Sequence, residues 1–466
     1  MTHASAPVAP FISRQVWYRT TVAGMASYLD AAAIITTGIA LVLYQDHLDL
    51  GGSEIGSLSA LLTFMIAAGA LVGGRLGDVY GRKRVFVATM VIYTAGAVAL
   101  VVPTGPVVLY AGVALLGFAA GADLPVSLAM IAEEAPEGAR GKLVSFSHIL
   151  WLVGILAAQL LGAVVGGMGA TGARIMYGHL AVLAVVVIVL RLRLPESRRW
   201  SAAREASRAG AATSTTADPA ADSIDLGALK DLMRGPYLAP MVAVAIFYAL
   251  VNIGANTGGQ FTTYMYVNLA GSTVQVASTI SFVTVGIAFG STYMLMRIVD
   301  GPRRMRWFAA MAVGSTSAYV VPGIFGVQVW TLVTMAVVAS VAGAIAGEPM
   351  FKIWAQELFP TVYRSTAQGV MIALTRVVAA VVALWTPALL ESSPSLLFYF
   401  IAACIACAGL LGLFWISRYP RVADSETTDS DTTDAVAAHG GTTDRETDGG
   451  SPPTMPASSG IVEQDS

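Results

Sequence analysis

Twelve long apolar runs occupy most of this sequence, and each is close to the roughly 20 residues that an α-helix needs to cross a bilayer. The chain is 56% hydrophobic and 12% charged, whereas a soluble domain is typically about 25% charged. These runs predict an all-α integral membrane protein with 12 transmembrane helices. The predicted spans are residues 19–43, 55–75, 85–102, 107–131, 143–165, 174–194, 237–262, 275–297, 307–325, 328–352, 366–390 and 395–416.

Basic residues indicate how the spans are oriented. Arg82, Lys83 and Arg84 follow the second span, and such a cluster favours the cytoplasmic side. Most other lysines and arginines fall on that same side; Arg174 and Arg376 are the exceptions. An even number of spans then places both termini in the cytoplasm, and the expected location is the cell membrane. The first 13 residues have neither a basic region nor a long apolar region, so no cleaved signal peptide is expected.

A polar stretch between the sixth and seventh spans divides the chain. The predicted organisation is a cytoplasmic N-terminus (1–18), an N-terminal six-helix bundle (19–194), a cytoplasmic linker (195–236), a C-terminal six-helix bundle (237–416) and a disordered acidic cytoplasmic tail (417–466). Residues 225–234 of the linker place their leucines on one face, which predicts a short helix on the membrane surface.

An internal repeat relates the two bundles. Pro125, Glu133 and Arg140 recur at one constant spacing of 224 residues as Pro349, Glu357 and Arg364. Repetition at a fixed spacing predicts two pseudo-symmetric six-helix bundles.

The charged, glycine-rich segment between the second and third spans resembles the signature loop of the major facilitator superfamily of transporters. The residues on that pattern are Gly74, Leu76, Asp78, Gly81, Arg82 and Lys83. The sequences PESRRW (195–200) and ELFP (357–360), together with Arg364, resemble the sugar-porter branch and its metabolite:proton relatives. Two features depart from sugar porters. Residues 110–117 lack the arginine that sugar porters place early in helix four, and helix seven lacks their Gln-Leu-Ser element.

This resemblance implies a secondary transporter rather than an enzyme, with the substrate held between the two bundles near the bilayer midplane. It also implies a cytoplasmic gate built from charged residues: Asp78, Arg82, Glu133, Arg140, Glu357 and Arg364. Opposite charges at helix ends could pair across the two bundles when this side closes, and separate when it opens. The alternative is that they cap helices and follow the charge rule for cytoplasmic loops.

Asp30 lies about the middle of the first span, and an ionisable residue at that depth indicates a functional site. Because burial disfavours the charged form of a carboxyl group, this residue is suited to take up a proton on one side and release it on the other. The resemblance implies the same role, because sugar:proton symporters and related phosphate and organic-acid symporters carry an aspartate in helix one. The alternative is a carboxylate satisfied by a neighbouring hydroxyl.

Asp123 lies in the fourth span, in the sequence GADLP, which resembles the Gly-Asp-Tyr-Pro stretch of phosphate and metabolite symporters. We consider Asp123 a candidate second proton-coupling residue. It could equally be the partner of a cation on another helix, or cap a helix end.

Amide side chains recur every four residues along the seventh span, at Asn252, Asn256 and Gln260, so they share one face of the helix. With three further residues they form the predicted substrate-binding surface for a hydroxyl-rich ligand: Gln159, Tyr264 and Trp385. Amides also pack membrane helices together, which is the alternative interpretation.

Arg376 lies near the middle of the eleventh span, where an unpaired guanidinium is costly. Its anionic partner could be Glu348, Asp30 or the substrate, and we include Arg376 among the candidate substrate-binding residues. His148 and Lys352 are weaker candidates, since a histidine can donate to a carbonyl and a lysine can extend to the membrane surface.

The predicted function is proton-coupled import of a small polar metabolite, a sugar or polyol, by alternating access. The alternative is symport of a small organic acid or phosphate-like anion, favoured by Arg376 and the Asp123 element; export is a further alternative. No cofactor, metal or nucleic acid is expected, and Cys404 and Cys407 are interpreted as small packing residues. The expected partners are the substrate, protons and lipid, with a monomer as the working unit.

Overall fold

The computed structural model describes residues 12–136, 139–195, 235–298, 301–359 and 361–420; at residues 75, 78, 79, 140, 141, 296 and 361–366 the description is limited to the backbone. The predicted surface helix at 225–234 and nearly all of the predicted tail lie outside these residues. The domain boundaries given above therefore stay predictions.

Thirteen α-helices form the described part of the chain. The first half contains α1 (Arg14–Leu48), α2 (Gly52–Tyr80), α3 (Arg82–Val101), α4 (Pro106–Glu134), α5 (Arg140–Val165) and α6 (Ala170–Leu192). The second half contains α7 (Leu238–Tyr264), α8 (Val274–Ile298), α9 (Arg304–Phe325), α10 (Val329–Ala346), α11 (Glu348–Glu357), α12 (Thr361–Ser392) and α13 (Pro394–Phe414).

Twelve segments of the described residues are long and apolar enough to cross a membrane. They match the predicted spans because α10 and α11 together form the tenth. The helices α7 and α12 are therefore the seventh and eleventh spans. This confirms the predicted all-α fold with 12 transmembrane helices, and the protein is a multi-pass membrane protein.

The connection between α2 and α3 is shorter than the sequence predicts. Helix α2 continues to Tyr80 and α3 begins at Arg82, so only Gly81 lies between them. Gly81 has φ 98°, a backbone angle that residues with a side chain rarely adopt. The predicted loop is thus mostly helical, because glycine permits the reversal within one residue.

Close main-chain contacts join the two halves at one end of the molecule. A β-carbon on Gly38 of α1 would lie 2.6 Å from the carbonyl oxygen of Gln260 in α7. On Gly56 of α2 it would lie 3.0 Å from the carbonyl oxygen of Leu384 in α12. We call this end, which contains Gly38, Gly56 and their neighbours, the sealed end.

The end that carries Arg19, Arg82 and Arg304 is called the basic end. Here the halves form separate apolar clusters, one around Phe86 and Met130 in the first half and one around Trp354 and its neighbours in the second. The side chains of Glu348 and Lys352, in the last third of the tenth span, are 42% and 49% exposed. The two halves therefore separate towards the basic end.

Candidate functional site

Asp30 is buried near the middle of α1, with 2% of its surface exposed. Trp151 of α5 donates its indole N–H to the carboxylate Oδ2 at 3.2 Å. Helix α5 comes this close because Gly154 packs against the main chain of Tyr28, where a β-carbon would lie 2.4 Å from the carbonyl oxygen. The other carboxylate oxygen, Oδ1, has no hydrogen-bond partner among the described residues. Asp30 therefore keeps one buried acceptor available to a proton or a ligand.

Arg376 projects from α12, in the other half of the molecule. It is partly buried, and it forms neither a hydrogen bond nor a salt bridge within the described part of the chain. It interacts electrostatically with Asp30, with Glu348 and with Tyr248 of α7. The guanidinium thus faces the same interior region as the Asp30 carboxylate.

Glu348, the second partner considered for Arg376, is already paired. Its carboxylate forms a salt bridge of 2.8 Å with Lys352, one turn further along α11. Helix α11 begins at Glu348 because Gly347 adopts a non-helical backbone conformation. Pro349 fits the first turn, where a backbone N–H would have no partner within the helix. An acidic side chain in the first turn is stabilised by the helix dipole. Because Lys352 already neutralises Glu348, this glutamate is a weaker partner for Arg376 than Asp30 is.

His148 of α5 is exposed, and its ring stacks on that of Trp151 with centroids 5.6 Å apart. It interacts electrostatically with Lys352 and Glu348 across the space between the halves. These weaker candidates therefore line the same region as Asp30, on the side of the basic end.

Three predicted binding residues carry amide oxygens that are buried and without a hydrogen-bond partner among the described residues: Gln159, Asn252 and Gln260. Gln260 is also a bridge between the halves, because its amide nitrogen donates to Thr63 of α2 at 2.8 Å. The same nitrogen donates to Asn256 at 3.0 Å. The amide face of α7 is thus partly engaged in helix packing and partly open.

Tyr264 lies at the sealed end. Its hydroxyl donates to Glu391 of α12 at 2.6 Å, and both side chains meet Gly52, the first residue of α2. A β-carbon at Gly52 would lie 3.0 Å from the Tyr264 hydroxyl. The structure therefore places Tyr264 in the closure of this end, apart from Asp30.

Trp385 does not lie where the sequence analysis places it. The side chain is 65% exposed, alongside the exposed Val381 and Leu384. Trp385 lies nine positions after Arg376, and at roughly 100° per residue the two point to opposite sides of α12. The prediction that Trp385 contributes to the binding surface is therefore not supported, because it rested on residue type without the rotation of the helix.

Asp123 forms a buried ion pair with Arg191 of α6, in which the two guanidinium nitrogens donate at 2.6 and 2.7 Å. Thr89 also donates to Asp123 at 2.8 Å, and the guanidinium lies 3.6 Å from the centre of the Phe86 ring. Arg191 is fully buried. Of the roles left open for Asp123, the geometry favours partnership with a cation. The sequence analysis counted Arg191 only as a charge at the membrane surface, since it follows an apolar run and precedes further arginines.

The three predicted gate residues whose side chains are described, Arg82, Glu133 and Glu357, each pair within their own half. Arg82 lies 3.2 Å from Glu133, and Arg304 lies 2.6 Å from Glu357. The pairs occupy equivalent places in the internal repeat, because Arg304 follows Arg82 by nearly the spacing that separates the two glutamates. Arg304 was missed as a gate residue, although the sequence DGPRR (300–304) is a weak repeat of the charged segment between the second and third spans. The side chains of the other three gate candidates lie outside the description: Asp78, Arg140 and Arg364.

A family model described as "Sugar (and other) transporter" matches residues 6–419. The chain belongs to this family. The family comprises transporters, so the protein is a transporter and not an enzyme, as the resemblance to the sugar-porter branch of the major facilitator superfamily implies.

Two curated relatives illustrate the range of the family. The minor myo-inositol transporter IolF of Bacillus subtilis is 29% identical over 405 residues, which cover 85% of this chain and 90% of the relative. The glucose transporter GlcP of Staphylococcus epidermidis is 22% identical over 405 residues, which cover 83% and 89%. Among solved structures, a D-xylose-proton symporter superposes with a TM-score of 0.67 at 20% identity, covering 87% of this chain and 98% of the other. That likeness shows the shared fold.

Proposed function

We propose that this protein is a proton-coupled symporter that imports a sugar or polyol across the cell membrane by alternating access. The observation that carries the proposal is Asp30, a buried mid-membrane carboxylate with one oxygen unpartnered among the described residues. A carboxylate in this setting is costly, so such residues are rare and mark functional sites. Taking up a proton removes its charge, and releasing that proton on the other side couples transport to the proton gradient.

The substrate class follows from the chemistry of the buried amides. Unpartnered side-chain oxygens at Gln159 and Asn252 are acceptors, and a sugar or polyol supplies hydroxyl donors to them. Buried polar groups are normally hydrogen-bonded, so a ligand or water must satisfy these oxygens. A relative at 29% identity that is named a myo-inositol transporter supports a polyol.

Alternating access requires one end to close while the other opens. In this structure Gly38, Gly56 and Gln260 seal one end, while the halves separate at the basic end. The positive-inside rule supports a cytoplasmic basic end with both termini on that side. The structure then represents the inward-facing state, from which substrate and proton leave. Both halves of one chain enclose the site, so a monomer is sufficient.

In this scheme the candidate residues take different roles. Asp30 carries the proton, and Gln159, Asn252, Asn256 and Arg376 face the substrate. Gln260 and Tyr264 belong to closure of the sealed end, and Asp123 is a structural partner of Arg191 rather than a proton carrier. The basic-end pairs formed by Glu133 and Glu357 hold each half in shape during gating.

A second candidate substrate class has one specific observation in its favour. Arg376 has no direct ionic partner in the described part of the chain, and a guanidinium binds carboxylate or phosphate well. Symport of a small organic acid or phosphate-like anion is therefore the alternative to symport of a neutral polyol.

The test is uptake into proteoliposomes under an imposed inward proton gradient. Labelled myo-inositol, glucose, xylose, a monocarboxylate and phosphate are compared while the internal pH is recorded. We expect a neutral polyol or sugar to accumulate together with acidification of the interior. Accumulation of an anion alone would favour the alternative, and accumulation that ignores the proton gradient would exclude proton coupling. Asp30→Asn is expected to abolish accumulation while exchange of labelled for unlabelled substrate persists.

A further inference from the structure

Five ion pairs of the described residues are each formed within one half of the molecule. Asp123 binds Arg191, Glu133 binds Arg82 and Glu134 binds Arg19 in the first half; Glu357 binds Arg304 and Glu348 binds Lys352 in the second. The buried and half-buried charges of each half are thus largely neutralised by neighbours that move with them.

Two charges in the membrane interior are left out of this scheme. Asp30 in the first half has no salt bridge, and its only side-chain hydrogen bond in the described part is to the uncharged Trp151. Arg376 in the second half has neither a hydrogen bond nor a salt bridge there. They interact electrostatically across the space that opens towards the basic end, without direct contact in this state.

We propose that Arg376 is the counter-ion of Asp30 across the two halves, and that it decides which loaded states can close. This inference rests on the proposed function. When the cavity closes, both side chains lose water, and a charge left unpaired there is costly. Closure of the basic end is therefore permitted only when the two charges neutralise each other or when another group satisfies them.

The empty carrier illustrates the rule. With Asp30 ionised, its negative charge and Arg376 compensate each other, so the empty carrier can close and return to the opposite side. With Asp30 protonated and no substrate bound, Arg376 would be buried alone. An unpaired arginine at mid-membrane makes such a state rarer on the order of a hundredfold. A proton without substrate is therefore prevented from crossing.

The loaded carrier escapes this restriction because the substrate supplies acceptors. Hydroxyl oxygens of a sugar or polyol can accept hydrogen bonds from the guanidinium, as they can from other donors. Arg376 thus exchanges the Asp30 carboxylate for the substrate when the proton binds. Proton and substrate must then cross together, which is the definition of symport.

Other titratable groups lie around Asp30 on each packed helix. Tyr93 of α3 donates to the main chain of α1, and Asp123 of α4 is held by Arg191. His148 lies on α5, and Tyr248 lies on α7. His179 of α6 contacts the hydroxyl of Tyr28 at 3.0 Å. None of them is a carboxylate without a partner, and every variant tested keeps both histidines, so a reversal of the pH effect between variants reports on Asp30 and Arg376.

The first test needs no substrate. Spin labels at Ser145 of α5 and Gln356 of α11, both exposed, report the separation of the halves near the basic end. In the empty wild-type protein closure requires ionised Asp30, so the short-distance population should grow as the pH rises. In Arg376→Gln closure requires neutral Asp30, so that population should instead grow as the pH falls. The double variant Asp30→Asn, Arg376→Gln should show no pH dependence.

The second test compares fluxes in proteoliposomes. Asp30→Asn leaves Arg376 unpaired in the empty carrier, so net downhill uptake should fall at least tenfold while exchange persists. Adding Arg376→Gln removes the second charge and should restore net downhill uptake several-fold without restoring accumulation. Arg376→Gln alone should move substrate downhill without net proton movement. If Arg376→Gln impairs folding, Arg376→Lys is used instead. This variant keeps the positive charge and should retain accumulation.

The matched control is the double variant Glu348→Gln, Lys352→Gln. It removes a salt bridge within the second half and, like the double variant of Asp30 and Arg376, deletes one negative and one positive charge. This variant should keep the wild-type direction of the pH effect on the distance. The inference is overturned if Arg376→Gln keeps that direction, or if the double variant of Asp30 and Arg376 is no faster than Asp30→Asn in net uptake. Wild-type uptake without proton movement would refute the proposed function, whereas the distance measurement would still decide the role of Arg376.

Discussion

Gly38 of α1 and Gln260 of α7 meet main chain to main chain, so that a β-carbon on Gly38 would lie 2.6 Å from the Gln260 carbonyl oxygen. Real β-carbons essentially never come this close to a main-chain atom. The contact joins the two halves at the sealed end, where the side chain of Gln260 also donates to Thr63. Any side chain at position 38 must therefore push the two helices apart.

Gly38→Val is expected to hold the sealed end open. The wedge should reduce net uptake strongly, because the carrier can no longer reach the state described here. Accessibility of a cysteine introduced at Ser59, a buried α2 residue, should rise towards an impermeant thiol reagent, in a background that lacks Cys404 and Cys407. Gly259→Ala is the matched control, since a β-carbon there meets nothing within 4 Å. Unchanged accessibility in Gly38→Val would contradict the assignment of this contact as a closure.

Asn252→Ala is expected to weaken substrate binding. The residue is 8% exposed, and its side-chain oxygen has no partner in the described part of the chain. Losing one neutral hydrogen bond costs about 0.5–1.5 kcal/mol, which corresponds to an increase in KM of roughly two- to twelvefold. Initial rates of uptake measure it. Trp385→Leu provides the comparison, because the structure places Trp385 on the opposite side of α12 from Arg376. An equal effect on KM in both variants would argue against the site proposed here.

The pair formed by Asp123 and Arg191 is expected to support stability rather than coupling. Removing only one partner, as in Arg191→Met, leaves a buried charge unpaired and should cost about 3–5 kcal/mol. The double variant Asp123→Asn, Arg191→Gln should recover much of that loss. Denaturation in detergent gives the stabilities, and proton-driven accumulation gives the coupling. If the double variant folds but no longer accumulates substrate, Asp123 is a proton-coupling residue after all.

Tyr264→Phe tests the sealed end by a subtler change. The substitution removes the hydroxyl that donates to Glu391 at 2.6 Å beside Gly52. A hydrogen bond to a charged group contributes about 1.5–3 kcal/mol, so the sealed state should lose population. Labelling of a cysteine at Ser59 should increase, though less than in Gly38→Val. Reduced substrate affinity with unchanged labelling would instead support the predicted role of Tyr264 in substrate binding.

The fold was accessible from the sequence because membrane spans depend on local composition. Apolar runs of sufficient length predicted all twelve spans, and the repeat that links Glu133 with Glu357 predicted related halves. Asp30 was found for the same reason, because a carboxylate is conspicuous within an apolar run. Arg191 was not recognised, because its position beside other arginines is also what the orientation rule predicts. Only the packing of α6 against α3, which lets Arg191 reach Asp123 of α4 beside Phe86, distinguishes a buried partner from a surface charge.

Helix rotation explains the error at Trp385. The sequence gives the angle between Trp385 and Arg376 on one helix, and this angle alone indicates that the two residues cannot face the same cavity. The packing partners of α12 then decide which side faces inward. The length of the connection at Gly81 could likewise not be predicted from the sequence, because a charged segment looks the same whether it is helical or a loop.

The described glycines that contact the other half at the sealed end come from the first half: Gly38, Gly52, Gly56, Gly162, Gly166 and Gly167. Several of these contacts fall on main-chain atoms, which do not change when a residue is replaced. Cavity side chains can consequently be replaced without altering these main-chain contacts. The same sealed end therefore suits carriers of different substrates, with selectivity set by the residues that line the cavity.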